Sequence, residues 1–552
     1  MTSRSRFIIL VTSLVVLALV ALGAGFVVLN ANRAYVPSGQ AVSDESPDTE
    51  LDGTLEAFYS QKVNWGPCEG KAITPSHETA PKNLTDYQCA TVLAPKDWDN
   101  PAGETITLSV AVHRSGNDNA PALFYNPGGP GGSAVKILTS QVRNSLGDAL
   151  VEKYDIVALD PRGVGSSTPV VCMTDEERDR YNTHGAIDEA DIERVAAVDG
   201  NNAPEDQDEE IALARDLSAR MGKGCVEHSG DIAQYIDTVS AAHDFDMMRQ
   251  IMGQEKLDYL GYSYGTFLGA TYAELFPENV GRFVLDGAVD PAMSSAEISA
   301  LQMRGFDESL IHWIEDCQAG SACPLTGDTE EGIERIKRFL ADLERQPMPT
   351  ADPDRPLTIN LAVTAMIGAM YSTEGYPVLT QGMTQALSVN DGSILLAIAD
   401  LLNDREADGT YASTSTDALI AINSLDYEPA GTEQDWKSQV MILRNELKLM
   451  DRFVGYESAA LAAWPFDRTA TRKPVTAQGA NPIVVVGTTH DPATPYVMSV
   501  NLAKQLSSGV LVTSEGWDHT AYSKDASQCV VDAVEGYLVS GTVPADGLHC
   551  SS

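Results

Sequence analysis

Leu257-Asp258-Tyr259-Leu260-Gly261-Tyr262-Ser263-Tyr264-Gly265-Thr266-Phe267-Leu268-Gly269-Ala270 reads as a short apolar strand, a turn and the start of a helix. At its centre, Gly261-Tyr262-Ser263-Tyr264-Gly265 has the form G-x-S-x-G. A strand can pass straight into a helix only through a tight turn, where flanking side chains would collide with the returning backbone; glycine at both ends removes the collision. The apical residue is left strained and exposed at a helix N-terminus. A serine there predicts a nucleophile. Glycine turns are common, so the weight of this reading falls on the strand before the motif and the helix after it.

Working outward, further strand-like runs appear at Ile106 to Val112, Ala122 to Tyr125, Asp155 to Leu159, Arg282 to Leu285, Ile483 to Val486 and Val510 to Val512. Short β-branched runs alternating with helical patterns predict a mostly parallel sheet with helices on both faces. Together with the serine turn, this predicts an α/β-hydrolase fold. Between Arg282 to Leu285 and Ile483 to Val486 the chain shows helical periodicity and little strand signal, clearest at Gly332 to Arg345, Leu361 to Tyr371, Ile394 to Leu402 and Trp436 to Phe453. The expected organisation is a catalytic domain over 56–292 and 476–552, with a helical cap over 293–475 above the strand ends. The acidic stretch Thr174 to about Asp216, with Glu205-Asp206-Gln207-Asp208-Glu209-Glu210, reads as a solvated excursion from the catalytic domain.

The 552 residues carry 78 acidic and 37 basic side chains, a formal charge of -41. Such a surface repels phosphate backbones and anionic lipid headgroups, so nucleic acid is excluded as an expected partner. Over 1–30, Arg4 and Arg6 precede an apolar run from Phe7 to Leu29. It is long enough to cross ~30 Å of hydrocarbon. It predicts either an uncleaved anchor or a signal cut near Ala21-Leu22-Gly23, with the body of the protein outside the membrane. A polar, flexible linker is expected over 31–55. Eight cysteines fit an oxidising compartment. Nearness in the chain suggests Cys68 with Cys89, Cys172 with Cys225, Cys317 with Cys323, and Cys529 with Cys550. No C-x-x-C pair or neighbouring histidine cluster points to a metal.

A serine hydroxyl needs a base within hydrogen-bond reach and a third group to orient that base. In this fold the order along the chain is serine, acid, histidine. Of the histidines after Ser263, His312 falls in the cap and His549 beside the last cysteine; His490 precedes Asp491 just after a strand, where the acid belongs. His519, in Glu515-Gly516-Trp517-Asp518-His519-Thr520, follows the last strand-like run, where the base belongs. Asp286 and Asp491 compete as the acid. Asp491 is preferred because it adjoins the penultimate strand and Thr494 can hold its loop, which leaves Asp286 a structural role. The oxyanion needs backbone donors. One is expected from Tyr264, the other from Asn126-Pro127-Gly128-Gly129-Pro130-Gly131-Gly132-Ser133, with Gly129 first and Gly128 second. Asp160-Pro161-Arg162-Gly163 reads as a structural turn in which Arg162 pairs with a carboxylate. No cofactor is required by this chemistry.

The oxyanion turn, Asp160-Pro161-Arg162-Gly163, the G-x-S-x-G turn and Asp491-Pro492-Ala493-Thr494-Pro495 together resemble the secreted tripeptidyl aminopeptidases of actinobacteria, α/β-hydrolase serine peptidases related to proline iminopeptidases. The resemblance runs from about Val63 to Cys550. It implies triad roles for Ser263, Asp491 and His519, and a peptide or protein attacked near its free N-terminus by a monomeric, exported enzyme. Asn126 stands where proline iminopeptidases carry a histidine, which favours the tripeptidyl branch. The same resemblance leaves a carboxylesterase or a cell-envelope serine protease as the alternative. An exopeptidase must also sense a charged amino terminus, for which Asp307, Glu308, Glu315 and Asp316 are candidates, each equally readable as a solvated helix-face charge.

Overall fold

The computed structural model describes residues 53–68, 87–197, 204–468 and 472–551. The expected anchor and nearly all of the linker lie outside these residues. Among those described, no helix is long and apolar enough to cross a membrane.

The architecture is a ten-stranded sheet among the described residues. Its strands are β1 Gly66–Pro67, β2 Tyr87–Pro95, β3 Thr105–His113, β4 Ala122–Asn126, β5 Asp155–Leu159, β6 Leu257–Tyr262, β7 Val280–Asp286, β8 Ile483–Thr488, β9 Gly509–Ser514 and β10 Leu548–Cys550. Their order is β1-β2-β3-β5-β4-β6-β7-β8-β9-β10. The pairs β1 with β2, β2 with β3 and β3 with β5 are antiparallel, and every other pair is parallel. β4 and β8 are buried along their whole length, and β7 at every position but Arg282, as the central strands of a sheet covered on both faces must be. One face packs into a cluster with Phe124, Tyr259, Phe283 and Val485, the other into one with Leu123, Leu260, Val284 and Val484. The fold is that of an α/β-hydrolase.

β1, β2 and β10 escape the sequence reading. β10 and β1 are three and two residues long, and β2 offers only Thr91-Val92-Leu93 as a β-rich run, between Cys89-Ala90 and Ala94-Pro95. The cysteines pair as Cys68–Cys89, Cys172–Cys225, Cys317–Cys323 and Cys529–Cys550. The last of these fastens β10 to the helix Gln528–Ser540.

Between β7 and β8 lie the helices that cover the sheet's carboxyl edge, from Ser295–Ala319 to Glu457–Ala463. They form their own core around Phe306, Trp313, Ile336 and Met366. The acidic stretch is not a solvated excursion. It forms the helices Asp175–His184, Glu189–Ala197 and Pro204–Ser229, and Ile211, Leu213, Ala214 and Leu217 are buried in the same core as the cap. Two acids beside this apolar set are paired: Glu210, itself buried, binds Arg444 at 3.0 Å, and Asp208 binds Lys437. A charged run that finds cationic partners can thus be part of a packed helix.

The division at 293 and 475 is blurred in a second way. The helix Ser415–Asp426 packs into the core of the sheet, through Ala418, Ile420, Ala421, Ile422 and Leu425. Its residues Thr416 to Asp426 are all buried.

Candidate active site

Ser263 sits where β6 becomes the helix Tyr264–Leu275, with φ +53° and ψ −123°. A non-glycine residue at positive φ is strained, and it persists only when its surroundings hold it there. Its N–H donates to the Asp286 carbonyl at 2.9 Å, and its carbonyl accepts from Thr266 N–H at 2.8 Å. The flanking glycines are needed sterically. A Cβ on Gly261 would stand 2.6 Å from the Gly265 carbonyl oxygen, and one on Gly265 would stand 2.7 Å from Asn126 Oδ1. Ser263 is almost fully buried beneath the cap.

Asn126 links this turn to the glycine turn after β4. Its Oδ1 accepts from Gly128 N–H at 2.9 Å. That engagement occupies Gly128, the second choice for an oxyanion donor. Gly129 has φ +117°, a conformation closed to side chains, and a Cβ there would meet Gly131 N and Gly132 N at 2.9 Å. Tyr264 is the first residue of its helix, so its N–H has no acceptor within that helix. Ser133, closing the glycine turn, caps the helix Ala134–Ser145 and donates to Asp160 at 2.9 Å. Burial raises the Asp160 pKa to about 6, against the opposing pull of hydrogen bonds from Val135 and Ser166. Arg162 is fully buried and pairs with Asp244 at 2.8 Å, as its turn suggested.

Asp491 and His519 meet. The Asp491 carboxylate lies 2.8 Å and 3.0 Å from His519 Nδ1. It is held in turn by Ala493 N–H, Thr494 N–H, the Thr494 hydroxyl and Thr520 N–H at 2.7–3.1 Å. His519 Nε2 is buried without a hydrogen-bond partner. The imidazole lies against the corner that holds Ser263: a Cβ on Gly287, the residue after Asp286, would stand 3.4 Å from His519 Cε1. Ser263 and the imidazole therefore adjoin consecutive residues, Asp286 and Gly287.

Asp286 serves the same loop differently. Its carboxylate accepts from Ala521 N–H at 3.0 Å and Tyr522 N–H at 2.7 Å, so it fastens the segment just after the histidine. Burial raises its pKa to about 6, partly opposed by those hydrogen bonds.

Sequence reasoning overlooks what the cap contributes. His519 N–H donates to the Tyr371 carbonyl at 2.9 Å, and the Tyr371 ring stands edge-on to the imidazole at 5.2 Å. Trp517 lies between two imidazoles, His312 at 3.8 Å and His490 at 4.0 Å, with planes within 9° of parallel. His490 also reaches Glu308 at 3.1 Å. Asp307 accepts from Lys448, Leu449 and Met450 N–H at 2.6–3.1 Å, which makes it a structural cap. The helix Ser415–Asp426 roofs the glycine turn: a Cβ on Gly131 would stand 2.4 Å from Ser415 O and 3.1 Å from Leu419 N. At its far end Asp426 binds the Thr238 hydroxyl, which also binds the Tyr264 hydroxyl. From Thr416 to Asp426 this helix is buried on every side, so it has no amphipathic stripe to betray it.

The fold and these residues define a serine hydrolase of the α/β-hydrolase class. Residues 448–550 match the family model described as TAP-like protein. The chain is 34% identical to Serine protease Hip1 of Mycobacterium tuberculosis over 516 residues, covering 90% of this chain and 92% of that one. It is 37% identical to Carboxylesterase B of the same organism over 470 residues, 84% of this chain and 86% of that one. Tripeptidyl aminopeptidase of Streptomyces lividans is 27% identical over 473 residues, 84% and 83% of the two chains. The chain belongs to this family of tripeptidyl aminopeptidase-like serine hydrolases.

Proposed function

We propose that the protein is an exported serine exopeptidase that releases short peptides, of three residues, from free N-termini. Ser263 Oγ attacks the scissile carbonyl while His519 Nε2 takes its proton, and Asp491 fixes the tautomer and stabilises the imidazolium. The N–H groups of Tyr264 and Gly129 receive the oxyanion. His519 then protonates the departing amine, and water, activated by the same ring, releases the acyl group. The single observation that carries this reading is an imidazole clamped through Nδ1 by Asp491, with Nε2 unpaired, against the corner that holds the strained Ser263.

The relatives named as a serine protease and as a tripeptidyl aminopeptidase support peptide over ester. The relative named as a carboxylesterase supports a second reading, ester hydrolysis by the same three residues. Export is supported by the basic-then-apolar segment 1–30 and by four disulfides, which persist in oxidising compartments.

The test offers the purified protein matched peptides with free and acetylated N-termini and a short acyl ester. The expected outcome is release of tripeptides from free N-termini only, abolished in Ser263→Ala. Equal cleavage of blocked peptides, or hydrolysis of the ester alone, refutes the exopeptidase reading.

A further inference from the structure

Two restraints act on the peptide that joins the nucleophile to Tyr264. A trans peptide holds its N–H opposite its carbonyl. The Ser263 carbonyl is taken by both the N–H and the hydroxyl of Thr266, so the Tyr264 N–H is turned the other way, out of the helix. The second restraint acts through the side chain. Tyr264 is buried, and its phenol binds the Thr238 hydroxyl. Thr238 opens the helix Thr238–Ile251, where an N–H has no acceptor within the helix, and it gives that N–H to Asp426 at 2.9 Å. Its hydroxyl also donates to Asp426, so the phenol in turn donates to the Thr238 oxygen. Thr238 and Asp426 are both buried, which leaves the phenol anchored to a carboxylate away from water.

Asp426 ends the roofing helix Ser415–Asp426, and the same end is tied to the nucleophile helix a second time. The Arg472 guanidinium lies between the Tyr427 ring at 3.7 Å and the Phe267 ring at 3.8 Å. Tyr427 follows Asp426, and Phe267 stands one turn beyond Tyr264. Two turns back along the roofing helix, ~11 Å, Leu419 N and Ser415 O press on Gly131 in the glycine turn. One buried helix of the cap therefore bears on the Tyr264 side at one end and on the Gly129 side towards the other.

We propose that Asp426 and Thr238 are positioning residues for the oxyanion hole: they hold the Tyr264 N–H through its phenol, and the helix that carries Asp426 sets the spacing between that donor and the glycine turn. The assignment rests on the Ser263 acyl transfer proposed above, whichever acyl group is transferred. An oxyanion donor acts only when charge develops on the carbonyl oxygen, so a loosened donor costs turnover and leaves ground-state binding alone. Ester and peptide form the same oxyanion, so both lose the same factor.

The experiment measures kcat and KM of the full chain for a tripeptidyl amide and a short acyl ester, and the binding of the matching tripeptidyl aldehyde, whose hemiacetal oxygen enters the oxyanion hole. Tyr264→Phe, Thr238→Val and Asp426→Ala are each expected to lower kcat about 10-fold on both substrates, a fraction of the ~10²–10³-fold lost with an oxyanion donor outright. KM stays within about twofold, and the aldehyde binds about 10-fold more weakly. Thr238→Ser keeps the hydroxyl and recovers most of the loss. Because the phenol and the threonine act as one chain, the Thr238→Val/Tyr264→Phe double variant loses no more than either single variant. Tyr264→Phe, which removes one oxygen, keeps the test open where Asp426→Ala fails to fold. The inference is overturned by a Tyr264→Phe kcat within about twofold of the wild type, by single losses that multiply in the double variant, or by a Thr238→Ser loss as large as that of Thr238→Val. If Ser263→Ala hydrolyses both substrates as fast as the wild type, the acyl-transfer reading itself has failed.

Discussion

Two buried aspartates beside one histidine do separate work, and the difference lies in which atoms they reach. Asp491 takes the imidazole Nδ1, whereas Asp286 takes two backbone N–H groups downstream of it. Asp491→Asn replaces an acceptor by an amide that can favour the wrong imidazole tautomer, so kcat is expected to fall about 10³–10⁴-fold with KM little changed. Asp286→Asn keeps one acceptor but turns an N–H towards Tyr522 N–H, an unmade hydrogen bond costing about 1–3 kcal/mol of stability. Steady-state kinetics and thermal melts on the two variants separate the roles; a larger kcat loss for Asp286→Asn reverses the assignment. Sequence order left both acids in play, and the position after the penultimate strand favoured Asp491. Thr494, three residues on, could be foreseen as a brace because a threonine hydroxyl reaches back over such a turn. Tyr371, 148 positions from His519 in the chain, could not: a backbone carbonyl leaves no mark in composition or spacing.

Among the elements, the cap bears on the chemistry through stacked rings. His312 comes from the cap helix Ser295–Ala319, His490 from the loop that carries Asp491, and Trp517 from the loop that carries His519. The stack therefore fixes the acid and base loops to each other and to the cap. Ring pairs of this type contribute about 0.5–1.5 kcal/mol each beyond their burial. Trp517→Ala is expected to destabilise by about 1–3 kcal/mol and to lower kcat about 10-fold, with Trp517→Phe in between. Melts and kcat measured together check this; an unchanged kcat refutes the idea that the stack steadies the base. The sequence reading located both loops because each follows a β-branched strand run. It missed the stack because three aromatic residues at 312, 490 and 517 have no common period. The acidic helix Pro204–Ser229 was misread for a related reason. Its charge run is a local signal, while Arg444 and Lys437, the partners that make packing tolerable, are more than 200 residues away.

Over the whole molecule, the cap and the sheet share one buried carboxylate whose ionisation links their union to pH. Asp426, at the end of the roofing helix, accepts from Thr238 N–H at 2.9 Å and from the Thr238 hydroxyl, and through that hydroxyl reaches Tyr264 beside the nucleophile. Burial raises its pKa to about 7, with the hydrogen bonds from Thr238 opposing. Asp160 and Asp286 are shifted the same way, to about 6. A folded-state pKa above the unfolded value means the folded chain holds the proton more tightly. The resulting stabilisation is complete below the unfolded pKa near 3.8 and is lost as pH rises through 6 to 7. These three groups thus favour the fold in mild acid and weaken it at neutral pH, opposite to the usual surface carboxylate. Asp426→Asn keeps an acceptor for Thr238 N–H, and the Thr238 hydroxyl can turn to accept from the new amide. The substitution is therefore expected to leave stability nearly unchanged at pH 4 and to raise it at pH 8, by on the order of 1–4 kcal/mol. Denaturant unfolding at both values checks the sign: an Asp426→Asn chain less stable than the wild type at pH 8 means the carboxylate is ionised and favourably held, and the pH linkage argued from its burial is wrong.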